Sequence, residues 1–110
     1  MQLLKSGVKF TAICCSNDHL AYGALRCLND MGLRIPQDMS LTGMGNFPVG
    51  QGYGVGVQSD ETKLELTTVG FPLYELGRRA VELLLAQEEL PQTRILLPVE
   101  VIERSSVARI

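Results

Sequence analysis

Between Val8 and Leu28 the chain changes its hydrophobic period without a spacer. Val8 to Cys15, "VKFTAICC", is a short apolar run, partly β-branched and without polar alternation. Such a run fits a strand of a parallel sheet covered on both faces. After Ser16, Asn17 and Asp18, the residues Leu20, Ala24, Leu28 and Met31 recur at steps of four, four and three, the stripe of a helix lying on a sheet. Ser16, Asn17 and Asp18 are capping residue types for its start, and Gly32 suits its end. The turn "LRIPQD" then leads to Met39 to Met44, where Ser40 and Thr42 alternate with Leu41 and Gly43 as in a second strand. Strand, helix and strand in that order require a crossover connection, which is right-handed in a twisted sheet. The predicted class is α/β, a Rossmann-like parallel sheet with flanking helices.

Downstream, Gly45 to Lys63 holds Gly50, Gly52, Gly54 and Gly56 at alternate positions and then a polar run, a composition costly to order that predicts a mobile loop. A third strand is expected from Leu64 or Leu66 to about Val69. Pro72 suits the first turn of a second helix, whose Leu73, Leu76, Ala80, Leu83 and Leu84 form a stripe, with Arg78, Arg79 and Glu82 on the wet side. Arg94 to Val107 reads as a closing extended segment in which Pro98 predicts a bend or an edge position. Met1 to Gly7 reads as the last turns of a helix, which predicts a segment before it.

With 110 residues, 45% of them apolar, the chain suffices for one domain or part of one. The net charge of −2, with no run of Lys or Arg to track a phosphate backbone, excludes nucleic-acid binding as the chain's own role. Three cysteines, two of them adjacent at Cys14 and Cys15 where strand side chains diverge, point to a reducing compartment, the cytoplasm. No apolar run approaches the roughly 20 residues needed to span a bilayer. A membrane role is not expected.

Asn17 and Asp18 stand where a strand end meets a helix start, the edge at which open α/β sheets present polar groups to ligands. An Asn amide both donates and accepts, which matches vicinal hydroxyls or a base edge. The same residues also cap helices, and the two uses can coexist. Gly50-x-Gly52 lacks the third glycine and helix start of a dinucleotide fingerprint, so a loop or a lid over the cleft is the better reading, with Phe47 and Tyr53 available to stack on a ring. Cys14, Cys15, His19 and Cys27 match no common zinc spacing and read as small buried apolar positions; no metal or cofactor is expected. A single His without a nucleophile elbow gives little support to an enzyme. Tyr22 falls off the Leu20, Ala24, Leu28 stripe, on a helix where Gly23 and Ala24 permit close approach by a neighbour.

Three ordered stretches resemble the effector-binding half of the LacI/GalR family of bacterial transcription regulators. "FTAICCSNDHLAYGALRCLNDMGLRIPQDMSLTGMGN" looks like that family's strand, Asn-Asp junction, helix, "GL-x-x-P-x-D" turn and second strand. "LTTVGFPLYELGRRAVELLL" is similar to its "LTT" strand and Pro-started helix, and "RILLPVEVIERSSVA" to its closing strand and "R-x-S" ending. The resemblance implies a partial periplasmic-binding-protein-like type I fold, residues 1–110 forming the C-terminal portion of the sensor domain, without the helix-turn-helix. It implies a small-molecule effector, sugar or nucleobase-like, met by Asn17, Asp18, Asn46 and Phe47. It also implies a homodimer touching through Tyr22 and Arg26, and operator DNA bound only through an N-terminal head. Where the family has an acidic pair after the second strand, this chain has Gly45 and Asn46, so an ordinary sugar is not the expected effector. The alternative is a Rossmann-like sugar- or nucleotide-handling enzyme fragment.

Overall fold

The computed structural model describes residues 5–47, 64–86 and 94–109. The elements are β1 (Ala12–Cys14), α1 (Asp18–Asp30), β2 (Ser40–Thr42), β3 (Thr68–Gly70), α2 (Leu73–Leu85) and β4 (Glu100–Ile102). The expected order of strands and helices is present, each strand shorter than its apolar run. Residues 1–4 and 48–63, which include most of the glycine-rich segment and Tyr53, lie outside the described residues. Lys5 is helical and Gly7 takes φ +78°, as a helix end requires.

β1 and β2 pair in parallel, with Ile13 opposite Leu41, and β3 and β4 pair antiparallel, with Val69 opposite Val101. Parallel bridges at Thr42–Thr67 and Gly45–Gly70 join the two pairs, so the strands run β1, β2, β3, β4 across the molecule. Below the first bridge β2 and the chain before β3 are spanned by Ser106. Its backbone carbonyl accepts from Leu41 N at 2.9 Å, its hydroxyl donates to Leu41 O at 2.6 Å and accepts from Thr67 N at 2.8 Å. The side chain is wholly buried, and every polar group it meets is satisfied. Pro98 precedes β4, which pairs only with β3 among the described residues, in keeping with an edge.

The core is the contact of α1 with the sheet: Ala21, Tyr22, Leu25, Leu41 and Leu66, with Ile13, Cys15, Ala24, Ile35 and Leu64 against it. Here the structure corrects the expected helix face. Its buried residues are Asp18, Ala21, Tyr22, Leu25 and Leu28, whereas Leu20 is 57% exposed and Met31 is exposed too. Asp18 decides the rotation, because its carboxylate is tied beneath the sheet edge and carries the positions three, four and seven residues onward to the same side. Tyr22 therefore lies in the core of its own chain rather than off the core stripe.

β1 also departs from expectation. Ala12 and Cys14 are exposed and only Ile13 is partly covered, because β2 is its sole strand neighbour among the described residues. Of the three thiols expected to be buried, Cys14 is exposed and Cys15 and Cys27 half-buried.

Candidate functional site

β1, β2 and β3 run in the same direction, so their carboxyl ends lie side by side and three connections leave from one edge: Ser16 to His19, Gly43 to Phe47, and Phe71 with Pro72. Such an edge is where an open α/β sheet offers a ligand polar groups fixed by a rigid scaffold.

Asp18 holds the connections together. Its Oδ1 accepts from Thr68 Oγ1 at 2.6 Å and its Oδ2 from Phe47 N at 2.7 Å, while its own N–H donates to Met44 O at 3.0 Å. At 1% exposure, with both oxygens engaged, the carboxylate braces the frame rather than facing solvent. Hydrogen bonds to a charged acceptor of this kind contribute about 2 kcal/mol each. Gly43 makes the brace possible, since a Cβ there would collide with Asp18 Oδ1 and Leu66 Cδ2.

The chain after β2 then turns sharply. Gly45 takes φ +125°, where a side chain would be strained and would meet the Phe47 ring, and Asn46 takes φ +55°. Gly45 N donates to Val69 O at 2.7 Å and Asn46 N to Thr68 Oγ1 at 3.4 Å, which fixes the backbone of both. The turn returns Phe47 over α1, where its ring stacks on His19 at a centroid distance of 5.3 Å and an interplanar angle of 18°.

Asn17 is the N-cap of α1, and its Oδ1 accepts from Leu20 N at 2.8 Å. Its amide oxygen is thus engaged in the helix while the half-buried side chain remains at the edge. Asn46 is exposed and its Oδ1 accepts from Arg104 Nη2 at 2.7 Å. The structure brings Asn17, Asp18, Asn46 and Phe47 to one edge. Arg26 stands elsewhere, on the exposed side of α1, and Tyr22 in the core.

Four residues of this edge and its support escaped the sequence reading: His19, Thr68, Arg104 and Ser106. By type and spacing His19 suggests a metal ligand or a base, and its stacking needs the return of Phe47, which no local pattern announces. Arg104 and Ser106 belong to the "R-x-S" ending, visible as a motif but without a partner until the sheet assembles. Burial pushes the Tyr22 hydroxyl pKa up, and the charge of Asp18 adds to this against the opposing effect of Arg104. Burial, followed by Cys14, likewise raises the Cys15 thiol, which lowers its thiolate population and hence its reactivity. Among the described residues no three His, Cys, Asp or Glu side chains group as metal ligands.

Periplasmic binding protein-like domains match this chain over residues 2–107. The chain belongs to that family. Within the family its likenesses are LacI-type regulators. It is 34% identical to the HTH-type transcriptional regulator GalR of Escherichia coli over 110 residues, covering 97% of this chain and 29% of GalR. A LacI family transcriptional regulator from Enterococcus faecium with bound ribose is 32% identical with a TM-score of 0.71, over 99% of this chain and 38% of that one. The lac repressor dimer bound to operator and the anti-inducer ONPF is 29% identical with a TM-score of 0.77, over 98% of this chain and 35% of that one. The expected resemblance and α/β class therefore hold, and this periplasmic-binding-protein-like chain spans about a third of the length of the proteins it matches. Those relatives are transcription regulators rather than enzymes. No helix among the described residues is long and apolar enough to cross a membrane.

Proposed function

We propose that the chain is the effector-sensing part of a LacI-type transcription regulator, and that residues 1–110 form the C-terminal portion of its sensor domain. The observation that carries this reading is the braced carboxyl edge, Asp18 holding Thr68 and Phe47, in a chain matched to the periplasmic-binding-protein-like family along nearly its whole length. An effector resting on this edge touches Asn17, Asn46 and Phe47, with Asp18 beneath them as support. It acts by binding one arrangement of the sensor better than another and so biasing an operator-binding head.

The regulator works in the cytoplasm as a homodimer, without metal or cofactor, away from membranes, and without catalysing a reaction. Arg26 meets the partner subunit from α1, whose outward positions Leu20, Gly23 and Arg26 are exposed, and the expected contact through Tyr22 is the less supported of the two because that residue is buried. The effector class is a sugar or a nucleobase-like molecule.

The test uses the full gene product. Its binding to DNA from its own promoter region is measured by fluorescence anisotropy with and without the small-molecule fraction of its cells. A shift of the binding curve of about tenfold, the usual scale of allosteric coupling, is expected. Tight DNA binding that no fraction alters, or no specific DNA binding at all, rejects the reading.

A further inference from the structure

Arg104 is held at four points. Its N–H donates to Thr67 Oγ1 at 2.9 Å, and its carbonyl accepts from the same hydroxyl at 3.1 Å. Its guanidinium donates through Nη1 to Leu66 O at 2.8 Å and through Nη2 to Asn46 Oδ1 at 2.7 Å. A guanidinium carries donors and no acceptor, so only the oxygen of the Asn46 amide can face it. The choice of amide rotamer is thereby settled by chemistry. The Asn46 backbone is held as well, its N–H donating to Thr68 Oγ1 at 3.4 Å. What remains is Nδ2, which has no hydrogen-bond partner among the described residues.

We propose that Arg104 is a positioning residue that turns the oxygen of Asn46 towards itself and leaves Nδ2 as the donor the amide offers, so that this edge takes its effector through an acceptor, a carboxylate being the fitting class, in preference to a hydroxyl that must donate. The inference rests on the effector-sensing reading and narrows it. An unrestrained asparagine offers a donor and an acceptor together and suits a hydroxyl in either role. One lone pair of that oxygen is taken by Arg104, so a group that needs an acceptor must share the oxygen with a charged donor, while the guanidinium beside the amide favours an anion. Neither Arg104 nor Asn46 belongs to the core cluster, so their pairing bears on recognition more than on packing.

The probes are acetate and ethylene glycol, added to the full gene product with its asparagine side chains labelled with nitrogen-15. Acetate is expected to move the Asn46 amide resonances saturably and at about tenfold lower concentration than ethylene glycol, the scale of one charge-assisted hydrogen bond. Asn46→Asp keeps the partner for Arg104 and the size of the side chain but supplies an acceptor. Its circular dichroism and melting are expected to be unchanged, while the preference for acetate disappears. In Arg104→Ala, checked for folding in the same way, the amide is free to turn and the preference falls to about twofold or less. Equal response to both probes in the unaltered protein overturns the inference, as does an acetate preference that survives in folded Asn46→Asp. If the preference is absent while cell extract still shifts DNA binding, the acceptor rule falls and the effector-sensing reading stands. If both are absent, the reading falls with it.

Discussion

α1 and α2 are each thirteen residues long with an apolar stripe of similar quality, yet they end in opposite situations. α1 buries Ala21, Tyr22, Leu25 and Leu28 against the sheet; α2 buries no residue at all, and Leu84 is 77% exposed. A stripe records that a helix has a partner without recording where that partner is. For α1 it is in the same chain. For α2 no packing among the described residues buries the stripe, and Leu76, Ala80 and Leu83 only line an open groove with Ile95, Leu96 and Leu97.

The comparison breaks first at the core. Leu41 is wholly buried in the α1 contact, and Leu41→Ala is expected to destabilise by about 3 kcal/mol through lost burial and an unfilled cavity. Leu84→Ala on α2 removes as many carbons from an exposed position and should change stability within about 0.5 kcal/mol. Urea melts of the two variants against the unaltered protein measure both. Equal costs would mean that α2 is already covered, by a second copy or another segment, under the conditions of the melt.

Next in size is the brace. Asp18→Asn keeps the shape but replaces one charged acceptor by a donor, so Phe47 N keeps its partner only if the new NH2 faces Thr68 Oγ1, whose hydroxyl must then accept and loses the acceptor for its own proton. A loss of about 2 kcal/mol is expected. The ring-current shift that Phe47 imposes on His19 should fall as well. A stable variant with unchanged His19 resonances would show that the turn after β2 holds without Asp18.

How much of this was open to a sequence reader follows from the range of each interaction. The order of strands and helices, Gly32 as the stop of α1 and Asn17 beside its start are local, and residue types with their spacing reveal them. The face of α1 was misjudged by one position because Leu20 and Leu25 are chemically alike, and what separates them is a bond from Asp18 to Thr68, fifty residues away. Exposure of Cys14 and β1 was likewise hidden, since an apolar run predicts covering and says nothing of whether the cover is present. Asn46 was singled out, but its orientation depends on Arg104, a contact 58 residues apart.

Asn17 gives a smaller effect of a different kind. Asn17→Ala removes the cap on Leu20 N and should cost about 1 kcal/mol of stability. If Asn17 also meets the effector, the loss of effector affinity in the folded variant exceeds that figure when both are expressed as free energies. Asn17→Ser retains a capping oxygen and separates the two roles, because it restores the melting temperature and leaves the affinity low. Effector affinity unchanged in folded Asn17→Ala would leave Asn17 with capping alone.

The smallest expected effect is electrostatic and falls on α2. With no buried residue, α2 is held along its length by surface pairs: Glu75 accepts from Arg78 Nη2 at 2.6 Å and Arg79 Nε at 2.9 Å, and Arg78 also meets Glu82. The hydrogen bond from Arg78 holds the Glu75 carboxyl below its ordinary range against desolvation, with a lesser contribution from Arg79. A carboxyl whose pKa is lower when folded stabilises the helix above its unfolded pKa, and that contribution disappears as the pH falls through the folded value. Helical circular dichroism should therefore decline in acid more steeply for the unaltered protein than for Glu75→Gln, whose side chain does not titrate. Asp38, held low by Arg34 in the same way, is common to both and cancels in the difference. α1 has no such surface network among the described contacts, so high salt, which screens exposed pairs, should remove the difference between the two curves and leave the packing of α1 on the sheet as it was.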